Sequence, residues 1–156
     1  MGTGISEIAD LFMSRVNDYR LTTIFSTYNV EVFNAYVEPW LLDSIVDFDV
    51  CDQDLNYTPT SGSVEGNFDS TLNLKNKIVL SRVMTLYWLE KEVNDVLQMN
   101  NLLQDHDFKT FAQSQNLKAK QDYLNLKREE ISQLLVDYGY KGNNWKQWQN
   151  QNFGSS

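Results

Sequence analysis

Four aspartates, Asp47, Asp49, Asp52 and Asp54, stand close together, and carboxylates at this spacing could hold a hard cation through their oxygens. The register of a calcium loop refuses that chemistry. With Asp52, Asp54 and Asn56 as the first three ligands, Tyr57 falls where the turn glycine belongs and Ser63 where the bidentate glutamate belongs. The cluster reads as a solvated acidic surface, with no metal and no cofactor. His106, the single histidine, lies between Asp105 and Asp107, which could serve a proton relay. The simpler reading is a helix start, with Asp107 capping Phe108 onward. Cys51 is the single cysteine and stands far from His106, so no nucleophile and base pair is legible. Phosphate-binding, dinucleotide, zinc-protease and nucleophile-elbow motifs are absent. Among the acids, no pair sits in an apolar neighbourhood that would raise its pKa. The chain reads as a protein that is not an enzyme.

The elements that must position these residues come from a chain of 156 residues, enough for one domain with a real core. No apolar run approaches the roughly 20 residues of a membrane span. One cysteine excludes an internal disulfide and suits a reducing compartment. The net charge of −8 is uneven: residues 1 to 69 carry twelve acids against Arg15 and Arg20, whereas residues 70 to 156 carry nine acids against eleven bases. An acidic first half repels a phosphate backbone, which disfavours a nucleic-acid module built on a basic patch. The start matches M-G-x-x-x-[ST] as Met1, Gly2 and Ser6, a short myristoylation pattern. Ser6 is better read as the N-cap of the first helix.

The patterning predicts a mainly α protein, a helical bundle around a long central helix. Ile5, Ile8, Leu11, Phe12 and Val16 recur at helical spacing and predict a helix over 6–18. Residues 19–29 lack a clear period and read as an irregular connection or a short helical turn. Pro39 is expected to open a new segment, 39–48, after a kink. Trp40, Leu41, Leu42, Ile45, Val46 and Phe48 would give it a broad buried face. A long loop or protruding hairpin follows at about 49–67, with Pro59, Gly62 and Gly66. Asn73 then caps the central helix, whose apolar positions include Leu74, Ile78, Val79, Val83, Leu86 and Val93. Trp88 falls off its densest face and could pack within the chain or meet another subunit.

Leu117, Leu124, Ile131 and Tyr138, seven apart, mark a last amphipathic helix over about 116–137, which Gly139 is expected to end. The domain would thus cover 1–138. Beyond it an extended C-terminal arm, 139–156, holds Tyr140, Trp145, Lys146, Trp148 and Phe153. A polar tail seldom keeps aromatics it does not bury. The arm reads as a docking segment for a partner, with folding back on the domain and disorder as alternatives.

Phe68, Leu72, Ile78, Leu80, Met84, the pair Trp88-Leu89, then Leu103, Asp107-Phe108 and a helix ending at Tyr138 resemble, over residues 31–138, the head-tail connector (adaptor) proteins of tailed bacteriophages. The motifs are apolar spacings, not catalytic signatures. The resemblance implies a helical virion protein of the phage neck, assembled in the host cytoplasm as a ring of copies of itself, commonly dodecameric. Such a ring sits beneath the portal protein, extends the DNA channel without sequence-specific binding, and offers a platform to a downstream neck or tail protein. No membrane is involved. Portal docking would fall on Tyr140, Trp145, Lys146, Trp148 and Phe153, a ring contact on Trp88, and channel-facing acids on Asp47, Asp49, Asp52 and Asp54. A second class of function also fits the residues: a small helical scaffold or regulator that binds one protein through its aromatic tail.

Overall fold

The computed structural model describes the backbone of residues 2–16, 18–103 and 110–153, and the side chains of 2–16, 18–98 and 116–141. Within these, the chain is mainly helical. Its elements are α1 (Ile5–Met13), α2 (Tyr19–Thr27), α3 (Val30–Asp47), β1 (Tyr57–Thr58), β2 (Asn67–Phe68), α4 (Leu74–Leu103) and α5 (Thr110–Phe153). No helix among the described residues is long and apolar enough to cross a membrane.

Of the stripe its spacing predicts, α1 buries Ile5, Ile8 and Phe12, with Ala9 beside them, and leaves Leu11 half-buried; the helix ends at Met13, short of the expected residue 18, and Val16 is buried beyond its end. Its start differs from the sequence reading. Gly4 occupies the N-cap and Ser6 lies inside the first turn. The free amide of Ser6 donates instead to Glu65 Oε1 at 2.8 Å, and its hydroxyl donates to the same oxygen. A carboxylate from the hairpin thus does what a local cap would do. Residues 2–5 lie along β2: Phe68 N donates to Thr3 O at 2.8 Å, Ile5 N to Gly66 O at 3.0 Å, and Leu72 N to Thr3 Oγ1 at 2.8 Å. Gly2 allows that approach, because a Cβ there would stand 1.5 Å from the Phe68 carbonyl oxygen.

The unpatterned stretch after α1 forms a helix, α2. Asp18 caps it by accepting from Arg20 N at 2.8 Å, and Thr22 and Thr23 turn their hydroxyls back onto the carbonyls of Asp18 and Tyr19. Leu21 is its buried anchor, and Arg20 pairs with Glu92 of α4 at 2.5 Å.

α3 is one helix of 18 residues with Pro39 inside it, where the sequence reading placed a new start. Asn29 caps it by accepting from Val32 N at 3.0 Å. Proline in a helix interior removes one bond to the preceding turn and costs about 3 kcal/mol. The core holds the helix across that defect: Phe33, Val37, Trp40 and Leu41 are buried on one side of it, and each fully buried side chain of this kind contributes about 1.5–3 kcal/mol. Two residues assigned to the buried face are outside it, Leu42 at 39% and Val46 at 75% exposure.

The segment 49–67 is a hairpin. Tyr57 pairs with Phe68 and Thr58 with Asn67, antiparallel. Ser61 and Val64 exchange backbone hydrogen bonds at 3.0 Å across a tip in which Gly62 takes a positive φ of 57°. That is the conformation for which glycine is used in tight hairpin turns.

α4, 30 residues long, packs against α1, α3 and α5. Asn73 caps it, accepting from Asn76 N at 2.8 Å. Val79, Leu80, Val83, Met84 and Val93 are buried, whereas Leu74 is 65% exposed. α5 runs antiparallel to it, since Arg128 meets Glu90 and Tyr138 meets Asn76. Leu124 and Tyr138 of the seven-residue stripe are buried. Gly139 does not end this helix, which continues to Phe153. Its φ is not positive, so it forms no left-handed cap. A Cβ at Gly139 would meet Val50 Cγ1 at 3.4 Å, an ordinary contact distance, so the helix passes Val50 with room for a small side chain there.

Candidate functional site

The four aspartates do not converge. Asp47 ends α3 and accepts from the Tyr87 hydroxyl at 2.5 Å. Asp54 closes a local turn, accepting from Asn56 N at 3.0 Å and Asn56 Nδ2 at 2.9 Å. Asp52 belongs to a third network. Asp49 stays in water. No group of three or more potential metal ligands is found among the described residues.

Asp52 is part of a latch that ties α5 to α4 and to the start of the hairpin. The Tyr138 hydroxyl bonds to Asp52 Oδ1 at 2.5 Å and Asn76 Oδ1 at 2.7 Å, and Asp52 N donates to the hydroxyl at 3.2 Å. Asn76 is fully buried, and its amide donates to Asp52 Oδ1 and Gln53 Oε1. Phe48 packs edge-on to the Tyr138 ring at 4.8 Å, and Lys75 Nζ lies 4.1 Å from the ring centre. Bonds from Asn76 first and Tyr138 second hold the Asp52 carboxyl below its ordinary pKa. Burial first, then Asp52, pushes the Tyr138 phenol above its own.

A second network fixes the hairpin on α3. One oxygen of Glu38 accepts from the Tyr57 hydroxyl at 2.7 Å, Thr60 N at 2.8 Å and Thr60 Oγ1 at 2.9 Å. Burial and this carboxylate raise the Tyr57 pKa. A Cβ on Gly66 would stand 2.0 Å from the Tyr57 hydroxyl and 2.6 Å from Glu38 Oε1, so only glycine fits there. The hairpin is thereby held at a fixed angle, which makes it a defined projection.

Trp88 packs partly buried against the core, and its Nε1 donates to Asp18 Oδ2 at 3.2 Å. Trp88 also lines a cleft of about 300 Å³ between α4, α5 and the turn after α1. Leu86, Leu89, Ile131 and Leu134 supply its apolar wall, and Arg15, Arg82 and the Lys127–Glu130 pair its charge. Desolvation first, and Arg82 second, lower the Arg15 pKa. Arg82 and Leu134 also line a shallower depression with Leu74, Lys75 and Ile78, so the two form one groove along α4 and α5.

The sequence reading did not find the other surface that stands out. On α3, Val32, Ala35, Pro39, Leu42 and Val46 are all exposed. Their three-four-three-four spacing puts them in one stripe, opposite the buried face. Tyr140 is 65% exposed on α5. The side chains of Trp145, Lys146, Trp148 and Phe153, on the same helix, lie outside the described residues, as do Leu103, His106, Asp107 and Phe108.

Comparison of the chain with protein-family models, with curated proteins and with solved structures finds no match.

Proposed function

We propose that this chain is a structural subunit of a bacteriophage neck. Copies of it assemble as a ring, dodecameric by resemblance, that joins the portal to the next neck or tail protein and extends the DNA channel. The observation that carries this reading is the exposed apolar stripe of α3. A helix apolar on both faces is normally covered on both, and a lone subunit leaves one of them in water. A ring of subunits supplies the cover.

Two further features support the assignment of parts. No lysine or arginine occurs between Arg20 and Lys75, so the segment carrying Asp47, Asp49, Asp52 and Asp54 supplies no cation of its own to hold DNA by counterion release, and the nearby Lys75 sits over the Tyr138 ring. Some of these acids face the lumen in this reading, and a ring reconstruction with all four on its outer wall would remove that part. The C-terminal end of α5, with Tyr140, Trp145, Lys146, Trp148 and Phe153, is the portal-docking arm. Its backbone is helical to Phe153, so it docks as a helix that continues the body.

Native mass measurement of the purified chain, alone and mixed with portal, tests the reading. A closed ring on the portal is expected, and deletion of residues 141–156 abolishes attachment. A chain that stays monomeric in both conditions removes the ring and leaves a helical scaffold or regulator that binds one partner.

A further inference from the structure

The apolar stripe of α3 and the α4–α5 groove are complementary in three respects, and together they specify what covers each. The first is shape and polarity. The stripe is a ridge of Val32, Pro39, Leu42 and Val46 on a helix, and the groove is a long depression walled by Leu74, Ile78, Leu89 and Leu134. An amphipathic helix laid into an apolar groove is a recurrent docking mode.

The second is charge. α3 carries Glu31, Glu38, Asp43 and Asp47 and no base, and at about 100° per residue Glu31 and Asp43 fall on the two borders of its stripe. The groove carries Arg15, Lys75, Arg82 and Lys127 against one acid, Glu130, which Lys127 pairs at 2.7 Å, so three cations remain over. Among the described residues, neither Arg15 nor Arg82 has a carboxylate within salt-bridge distance. Glu130 in the same cleft is taken by Lys127, which leaves two neighbouring guanidinium groups without an ion pair among the described residues and favours an acidic partner.

The third is placement. Tyr87 of α4 reaches α3 through Asp47. Arg82, Thr85 and Leu89 lie about 140–200° round α4 from Tyr87. The ridge and the groove therefore point away from each other, and one subunit cannot close the contact on itself. Pairing of two α3 stripes about a two-fold axis is disfavoured, because it would set Glu31 and Asp43 of one helix against those of the other with no base on either.

We infer that the outer stripe of α3 seats in the α4–α5 groove of a second copy of this chain, with Glu31 and Asp43 at its borders meeting Arg82, Arg15 and Lys75. The contact is head-to-tail. Such a contact repeats from copy to copy, giving a ring where the rotation closes and an open chain where it does not. Closure rests on the ring reading above, whereas the contact stands by itself.

Two variants at exposed positions test it by native mass. One is Leu42→Lys with Val46→Lys, which removes the ridge and keeps the groove. The other is Leu74→Glu with Arg82→Glu, which does the reverse. Each alone is expected to be monomeric, with helicity and thermal midpoint unchanged by circular dichroism. Mixed in equal amounts they form a one-to-one pair, because one intact ridge and one intact groove remain. A charge exchange gives an independent reading: Asp43→Arg or Arg82→Asp alone weakens association about tenfold, and both in one chain restore it.

Wild-type assembly that both variants retain overturns the contact and leaves the ring standing. Monomeric variants that fail to pair on mixing also overturn it, and so does a groove variant that still associates while the ridge variant is monomeric, which is the behaviour of two α3 stripes paired about a two-fold axis. Open chains that the variants dissolve keep the contact and remove the closed ring. A wild-type chain that is monomeric alone and on portal removes both.

Discussion

Replacing Tyr138 by phenylalanine isolates the latch between α5, α4 and the hairpin. The ring stays, so its edge contact with Phe48 at 4.8 Å and the Lys75 ammonium above it are kept. The hydroxyl goes, and with it the bonds to Asp52 and Asn76. A hydrogen bond to a charged group contributes about 1.5–3 kcal/mol in a protected site. Asp52 is open to water, so its share is nearer 1 kcal/mol. Asn76 is fully buried, and an unsatisfied buried acceptor costs about 1–3 kcal/mol. The sum is a loss of about 2–4 kcal/mol, which for a chain of this size lowers the midpoint by about 4–16 °C.

The pH dependence carries the sharper signature. The folded-state pKa of Asp52 is depressed, so its contribution is present above the unfolded value of about 3.9 and is lost as pH falls through the folded value. The folded-state pKa of Tyr138 is raised, so its contribution is complete below the unfolded value of about 10 and fades as pH rises towards the folded one. Urea unfolding across pH should therefore show the gap between Tyr138→Phe and wild type widest between about pH 5 and 9, narrowing at acid pH to the share of Asn76 and narrowing again as the phenol ionises at alkaline pH. A constant gap at every pH, or a midpoint within 1 °C of wild type at pH 7, would refute the latch.

Gly66→Ala drives a Cβ into the Tyr57 hydroxyl and Glu38, and should cost about 1–3 kcal/mol by overpacking; an unchanged urea midpoint would contradict that crowding. Gly139→Ala should do the opposite, since the backbone there is helical and the new Cβ meets Val50 at ordinary contact distance. A gain of about 0.5–1 kcal/mol is expected, read as a higher thermal midpoint. Glu65→Ala removes the acceptor for Ser6 N and should cost about 1 kcal/mol, as the loss of an ordinary N-cap does. Faster amide exchange at the first turn of α1 would locate the loss there.

Ile5, Ile8 and Phe12 in α1, the Asn73 cap of α4 and the Leu124–Tyr138 stripe of α5 were legible because each rests on neighbours within one or two helical turns. The cap of α1 was not, because its carboxylate, Glu65, comes from a hairpin tens of residues away. α2 has the β-branched composition of a strand and becomes a helix through Asp18 and the tertiary anchors Leu21 and Arg20. Pro39 and Gly139 were read by local propensity, which packing overrides. The α3 stripe exposes a different limit. Periodicity reports that Leu42 and Val46 are apolar at helical spacing, but a helix apolar all round gives no sign of which face its own domain covers. The groove cations were invisible for a related reason, since Arg82 comes from α4, Lys127 from α5 and Arg15 from the turn after α1.

The path of residues 2–5 along β2 also sets an order of events during synthesis. Thr3 and Ile5 find their backbone partners only among residues 66–72, and α1 receives its cap from Glu65. At about 5–20 residues per second, the stretch between them takes about 3–13 s to be made. For that interval α1 is a nine-residue helix without its cap, too short to hold by itself in water. The hairpin is thus the closing event for the first third of the nascent chain, and α1 is the element most dependent on its arrival.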